Sequence, residues 1–422
     1  INQVGSEIEK SVSLLLFSQF LIFASENKST ERMNRNKKRI NFAIVSIAII
    51  NVLQFLPLSQ LTANPISEHY IYTRTQPTQH ITNTALLREN ETPLENKENA
   101  DSTLAKAVRL IENKEYVEAD RLLHQAIDNG ADDIRLHYES AWCLYCMKDY
   151  TQAAAKLETL IKRPDATAEL FQLLGNSLNM AGRRGEAYDA YRKGLAAFPS
   201  SGCLYLELGN MKAGEGDYRN AILLYEEGIS HQPDFASNYY RAALLFLNST
   251  EEVWGMAYGE LFMLLERNDS ERLKDMSKRL YETYQANISF KKGEDARIGF
   301  DTDVIRYSDS PTRPNLYPEI YRELMQKACK GERHCDLASL YRIRKRFHSA
   351  FEQEATAFEN VLSEYHSKII SAGHFEAYTY WLLGYGNTAQ AATWIKENKA
   401  KWTAFLQWYD QNPIEITPQN VF

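Results

Sequence analysis

Two cysteine pairs stand at spacings that could do chemistry. Cys143 and Cys146 have redox Cys-x-x-Cys spacing, and Cys329 and Cys335 bracket Lys330-Gly331-Glu332-Arg333-His334. The first pair falls inside a helical pattern, whereas thioredoxin-like chemistry wants that motif on a βαβ frame. We read it as two small buried residues. The second pair flanks a Gly-containing turn between two expected helices. A disulfide between Cys329 and Cys335 is expected if the chain is exported. Gly331 can take a left-handed conformation, and facing helix ends would bring the Cα atoms near the bridging range of about 4.4–6.8 Å. The alternatives are two free thiols, or a metal held with His334, which would need further ligands. Asp301-Thr302-Asp303 begins like a calcium loop, but no ligand set of the required spacing follows. Glu352 and Glu354 are two apart in a helical pattern, so they face apart and form no catalytic pair. The sequence holds no His-Glu-x-x-His, phosphate loop, Gly-x-Ser-x-Gly or dinucleotide fingerprint. The expectation is a non-enzymatic chain with no cofactor and no metal.

The elements that would position any site must come from 422 residues, enough for two to three domains. The chain is 44% hydrophobic and 24% charged, as soluble globular chains are. Its 48 basic and 55 acidic side chains give a net charge of −7. That excludes the basic footprint of a non-specific nucleic-acid binder. Five cysteines are too few for a disulfide scaffold.

The chain begins with Ile1, and its first methionine is Met33. Residues 1–32 are expected to be upstream sequence. From Met33 a basic run ending in Lys37-Lys38-Arg39 precedes an apolar stretch from Ile40 to Leu58 and a small-residue exit at Leu61-Thr62-Ala63. That order describes a secretory signal peptide over 33–63. The alternative is an uncleaved anchor, since 40–58 is just long enough to span a bilayer; only then would a membrane be a partner. Either way the remainder is expected in the periplasm or at the cell surface. With seven basic and four acidic side chains removed, 48 and 55 become 41 and 51, a net charge of −10. No nucleic-acid partner is then expected. Residues 64–99 are polar, as in Thr73-Arg74-Thr75-Gln76-Pro77-Thr78-Gln79, and read as a disordered linker.

A repeat occupies 100–267. Small residues recur 34 apart at Ala107, Ala141, Gly175 and Gly209, and again at Ala119, Ala153, Ala187 and Ala221. Leu123, Leu157, Tyr191 and Tyr225 keep the same register, and Pro199 and Pro233 end the third and fourth units. Antiparallel helices approach to about 8–10 Å only where side chains are small, so each unit reads as a helical hairpin.

Phe171, Leu174, Gly175, Ala187, Tyr191 and Pro199, then Tyr205, Leu208, Gly209, Ala221, Tyr225 and Pro233, resemble the tetratricopeptide repeat. Lys212 departs from that pattern, which usually has an apolar residue there. The units are 100–133, 134–167, 168–201, 202–235 and a degenerate fifth at 236–267. The resemblance implies an all-α fold, a helical-hairpin superhelix whose first helices line a concave face. It places Tyr138, Trp142, Tyr145, Gln172, Asn176, Asn179, Leu206, Asn210 and Tyr240 on that face as a peptide-binding groove. Asn176 and Asn210 are equivalent, and a mid-helix Asn is a modest helix former. Each amide can bond an extended peptide backbone or bond locally within the array. The aromatic residues can contact a ligand or pack between helices. The Lys/Arg clamp of carboxylate-binding repeats is missing, because its positions read Glu169, Gln172 and Glu207. The function expected is an exported scaffold for a protein or peptide. Carbohydrate or nutrient capture, or an enzyme site in the C-terminal part, are the alternatives.

Residues 268–422 read as a mainly helical C-terminal domain with a short β-hairpin around Ile288-Ser289-Phe290 and Ile298-Gly299-Phe300. Helices are expected near 269–286, capped by Asp269 or Ser270, and near 317–329, 336–365, 374–383 and 388–411. Four of six tryptophans, Trp381, Trp394, Trp402 and Trp408, fall within the last part. Such density is more often a helical core than a ligand platform.

Overall fold

The computed structural model describes residues 94–266, 270–291, 294–301, 313, 316–418, 420 and 421, with side chains from residue 100 onward. The expected leader, its apolar stretch, Asp269 and the Thr302-Asp303 half of the calcium-like motif lie outside the described residues.

The 34-residue spacing is written into the turns as well as the helices. Lys114, Lys148, Gly182 and Gly216 all have positive φ, at 64°, 65°, 81° and 77°. One residue beyond each, a backbone N–H reaches back five residues: Glu115 to Leu110, Asp149 to Leu144, Arg183 to Leu178 and Asp217 to Lys212, at 2.8–3.0 Å. This is the Schellman closure of a helix end. The next helix starts at once, and the Asp149 and Asp217 side chains accept from the N–H of Gln152 and Asn220.

Five hairpins result. They are α1 Leu94–Glu112 with α2 Tyr116–Asp128, α3 Ile134–Cys146 with α4 Tyr150–Leu160, and α5 Ala168–Met180 with α6 Arg184–Ala197. Then come α7 Gly202–Gly214 with α8 Tyr218–His231, and α9 Ala236–Leu247 with α10 Glu252–Leu265. Helix α1 begins six residues inside the stretch read as linker. The fifth hairpin is complete although its repeat pattern fades after Asn248. It turns differently, with the Ser249 hydroxyl accepting from the N–H of Glu251 at 2.9 Å.

Small residues set the contacts. A Cβ on Gly175 would lie 2.1 Å from the Tyr191 ring, and one on Gly209 would lie 2.3 Å from the Tyr225 ring. In the first two units Ala107 and Ala141 occupy these positions, with Leu123 and Leu157 as partners, all fully buried. Glycine thus accompanies tyrosine, and alanine accompanies leucine.

Among the described residues, the chain continues with α11 Glu271–Asn287, a two-stranded antiparallel ribbon, six more α-helices and two single 3-10 turns. The Ser270 hydroxyl caps α11 by accepting from the N–H of Leu273 at 3.3 Å. Strands β1 Ile288–Ser289 and β2 Arg297–Ile298 pair Ile288 with Ile298 and Ser289 with Arg297, which is the expected hairpin. The helices are α12 Tyr317–Ala328, α13 Leu337–Glu354, α14 Val361–Ser371, α15 Phe375–Leu383, α16 Thr388–Glu397 and α17 Lys399–Gln411. Two expected helices are each broken in two. Residues 336–365 divide because Asn360 opens a new helix: its side chain accepts from the N–H of Leu362 and Ser363, and the Ser363 hydroxyl accepts from the Asn360 N–H. Residues 388–411 divide at Asn398, which ends α16 and starts α17.

The repeat units and the C-terminal helices share one core. Helix α10 is buried along nearly its whole length. Trp254 stacks on Tyr317 at 5.0 Å, and the Tyr409 hydroxyl donates to the Leu264 carbonyl at 3.3 Å. Buried Arg313 donates to Glu226 of α8 at 2.6 Å and to Glu251 at 3.1 Å. The tryptophan-rich end packs on itself, with Tyr380 on Trp394 at 4.4 Å and Trp381 against Tyr409 at 5.0 Å. Among the described residues, no helix is long and apolar enough to cross a membrane.

Candidate functional site

The first helices α1, α3, α5, α7 and α9 stand side by side, each packed on the next. Of the nine residues expected on their shared face, Trp142, Tyr145, Gln172, Asn176, Leu206 and Tyr240 are buried. Tyr138 and Asn210 are half-buried, and Asn179 is exposed. Trp142 stacks on Tyr145 at 5.6 Å, and Tyr240 packs on Phe262 at 4.9 Å.

Both repeat-equivalent asparagines bond within the array. The Tyr191 hydroxyl donates to the Asn176 amide oxygen at 2.6 Å, and the Tyr225 hydroxyl donates to that of Asn210 at 3.0 Å. Buried Glu207 accepts from Gln172 at 2.8 Å, Asn210 at 3.2 Å and Asn176 at 3.5 Å. The glycine before each asparagine explains this geometry. It lets the tyrosine ring lie against the first helix, which carries the hydroxyl to the next residue's amide.

Cys329 and Cys335, the pair expected to form a bridge, are free thiols in this structure. Gly331 does take a left-handed φ of 85°. The turn, however, is closed by Glu332, which accepts from Arg342 at 2.7 Å and from Arg346 at 2.7 Å. The Cys335 thiol instead points to the Tyr284 carbonyl, 3.7 Å away. Burial pushes the thiols of Cys146, Cys329 and Cys335 up to about 12, which opposes nucleophilic or redox reactivity.

A second place of interest was not foreseen from the sequence. Glu260 lies midway along apolar α10, and a buried carboxylate needs partners. Three distant helices supply them at its Oε1. Arg344 of α13 donates through Nη2, Nε2 of His366 on α14 lies at 2.7 Å, and the Tyr378 hydroxyl of α15 donates at 2.6 Å. Burial alone would raise the Glu260 pKa. Arg344, then His366 and Tyr378, overcome it and hold the group down at about 2. The Arg344 side chain is 4% exposed. Its guanidinium lies 5.6 Å from the ring centres of Phe375 and Tyr378. Its Nη1 finds no hydrogen-bond partner among the described residues.

Arg344 and Glu260 border a cavity of about 50 Å³, walled by Tyr317, Tyr321, Phe347 and Phe375 among others. His348 also lines it. Its Nε2 sits 3.0 Å from the Ser367 hydroxyl and 3.3 Å from Glu352. Burial, then the neighbouring His366, pushes the His348 imidazole down to about 4, so it is neutral near pH 7. Among the described residues, no group of three or more His, Cys, Asp or Glu side chains is placed to hold a metal.

These hairpins, with their 34-residue turns and small-residue crossings, form a helical-hairpin array of the kind that the resemblance to the tetratricopeptide repeat implies. No protein-family model matches the chain, and no curated protein matches it. Among solved structures, it is similar to MamA at 18% identity, over 38% of this chain and 93% of that one, with a TM-score of 0.31. It is also similar to PilF of Pseudomonas aeruginosa at 16% identity, over 45% of this chain and 86% of that one, with a TM-score of 0.37. A third is the C-terminal part of a TPR repeat-containing protein from Cytophaga hutchinsonii, at 15% identity over 72% and 93%, with a TM-score of 0.34.

Proposed function

We propose that the chain is an exported scaffold that binds a protein or peptide along the face of its first helices. The observation that supports this is the unbroken run α1, α3, α5, α7, α9, one continuous surface built from equivalent positions. Tyr138, Asn179 and Asn210 keep exposed or half-exposed side chains for a partner. Gln172 and Glu207 bond to each other where a carboxylate clamp would have cations, so the partner is an internal segment rather than a chain end.

A photo-crosslinking residue placed in turn at Tyr138, Asn179 and Asn210 tests the face, with Tyr218, an exposed residue of α8, as control. In an envelope extract the first three positions should capture one common partner that Tyr218 does not. Equal capture at all four, or none at the first three, overturns the reading. Export is tested separately by N-terminal sequencing of the native protein, with a mature end expected near Asn64.

A further inference from the structure

We propose that the cavity between α10 and the C-terminal helices binds a small uncharged molecule that presents an acceptor oxygen to Arg344 and an apolar flank to the aromatic wall. This inference stands apart from the repeat-face reading, since none of the face residues lines the cavity.

The donor comes first. A guanidinium carries five N–H groups and no acceptor. Arg344 is more than nine-tenths buried and spends Nη2 on Glu260, while Nη1 has no partner among the described residues. A buried donor left without an acceptor loses its hydration for nothing in return, so the site is poised to receive one.

Charge then selects among acceptors. Glu260 already holds Nη2 of Arg344 at the cavity border, so an anion drawn to Nη1 would stand beside that carboxylate. A carboxylate entering here would bring a buried charge without its counter-charge, which is costly. An amide, ketone or alcohol oxygen satisfies Nη1 without that cost.

Shape sets the remainder. Tyr317, Tyr321, Phe347, Phe351 and Phe375 line the space. A water needs about 10–15 Å³ on this measure, so a cavity of about 50 Å³ holds a group of roughly three to five non-hydrogen atoms. Water alone would satisfy the donor but leave most of the aromatic wall without contact.

The experiment uses ligand-detected saturation-transfer NMR on the full chain, with acetamide and, separately, sodium acetate as probes. Two variants fill the cavity from α10, Ala257→Met and Val253→Phe, and circular dichroism checks that each keeps its helical content. Acetamide should bind saturably to the unaltered chain. It should bind more tightly than acetate, and at least about tenfold more weakly to a folded, filled variant. Absence of saturable acetamide binding overturns the proposal and leaves water as the occupant. So does tighter binding of acetate, or acetamide binding that persists in a filled variant. If both variants lose helix, the acetamide and acetate comparison on the unaltered chain decides alone.

Discussion

Gly175 and Tyr191 show what a single position can dictate. A methyl group at Gly175 would lie 2.1 Å from the tyrosine ring, so Gly175→Ala must displace a fully buried side chain. We expect a loss of about 1–3 kcal/mol in urea unfolding. The second unit carries the remedy, since the equivalent positions there hold buried Ala141 and Leu157. Gly175→Ala with Tyr191→Leu should therefore recover part of the loss, less the cost of the Asn176 oxygen left without its donor. A double mutant no more stable than Gly175→Ala would refute the paired reading. The turns offer the opposite case. Lys114 and Lys148 hold positive φ where the next two units have glycine. The left-handed region costs a side-chain-bearing residue about 1–2 kcal/mol, and glycine returns roughly 0.5–1 kcal/mol of that as unfolded-state entropy. Lys148→Gly should then raise stability by about 0.5–1 kcal/mol, read as a higher urea midpoint with unchanged slope.

At the scale of elements, the repeat was legible because each hairpin is specified locally. Small residues, tyrosines and turn positions all return at 34, so one unit predicts the next. The hydrogen bonds of Asn176 and Asn210 were legible only as a choice. The sequence shows that the two are equivalent, but the tyrosine donor lies fifteen residues away across the hairpin. The breaks at Asn360 and Asn398 were missed because the apolar period runs through them. Only the capping bonds to Ser363 mark the first as a new start. The Glu260 cluster was not legible at all. Its partners lie 84, 106 and 118 residues along the chain, on three helices whose packing no local pattern encodes.

That cluster makes a prediction about pH. Glu260 has its folded pKa lowered from 4.5 to about 2, and His348 has its own lowered from 6.5 to about 4. For both, the folded state favours the deprotonated form. Each contribution is complete above the unfolded value and is lost as pH falls toward the folded one. Stability should therefore decline first between about pH 6.5 and 4 through His348, then between about pH 4.5 and 2 through Glu260. His348→Gln should flatten the first decline and leave the second, as followed by urea unfolding at stepped pH. An unchanged profile between pH 6.5 and 4.5 would remove His348 as its source.

For the molecule as a whole, the question is whether the five hairpins can stand without the C-terminal helices. Helix α10 closes the array, and in most helical repeats a closing helix turns a polar face to water. Here it does not. Trp254, Met256, Tyr258, Leu261, Phe262, Met263 and Leu264 are all buried, and part of that burial comes from beyond residue 267. Tyr317 stacks on Trp254, and Met276 and Leu280 crowd Gly259 at 2.8 and 2.9 Å from where a Cβ would stand. Arg344 neutralises Glu260, and Arg313 neutralises Glu226 and Glu251. A fragment ending at residue 267 would expose this apolar surface and leave Glu226, Glu251 and Glu260 without those cations. Breaking one buried ion pair costs about 3–5 kcal/mol, and the fragment breaks pairs of both arginines. We expect it to aggregate or to bind a hydrophobic dye strongly, while the full chain unfolds in a single transition across both parts. The measurement is sedimentation and dye binding of the fragment beside urea unfolding of the full chain. A monomeric fragment with cooperative unfolding and no dye binding would show instead that the repeat array is a domain in its own right, and that the buried charges of α10 are tolerated in water.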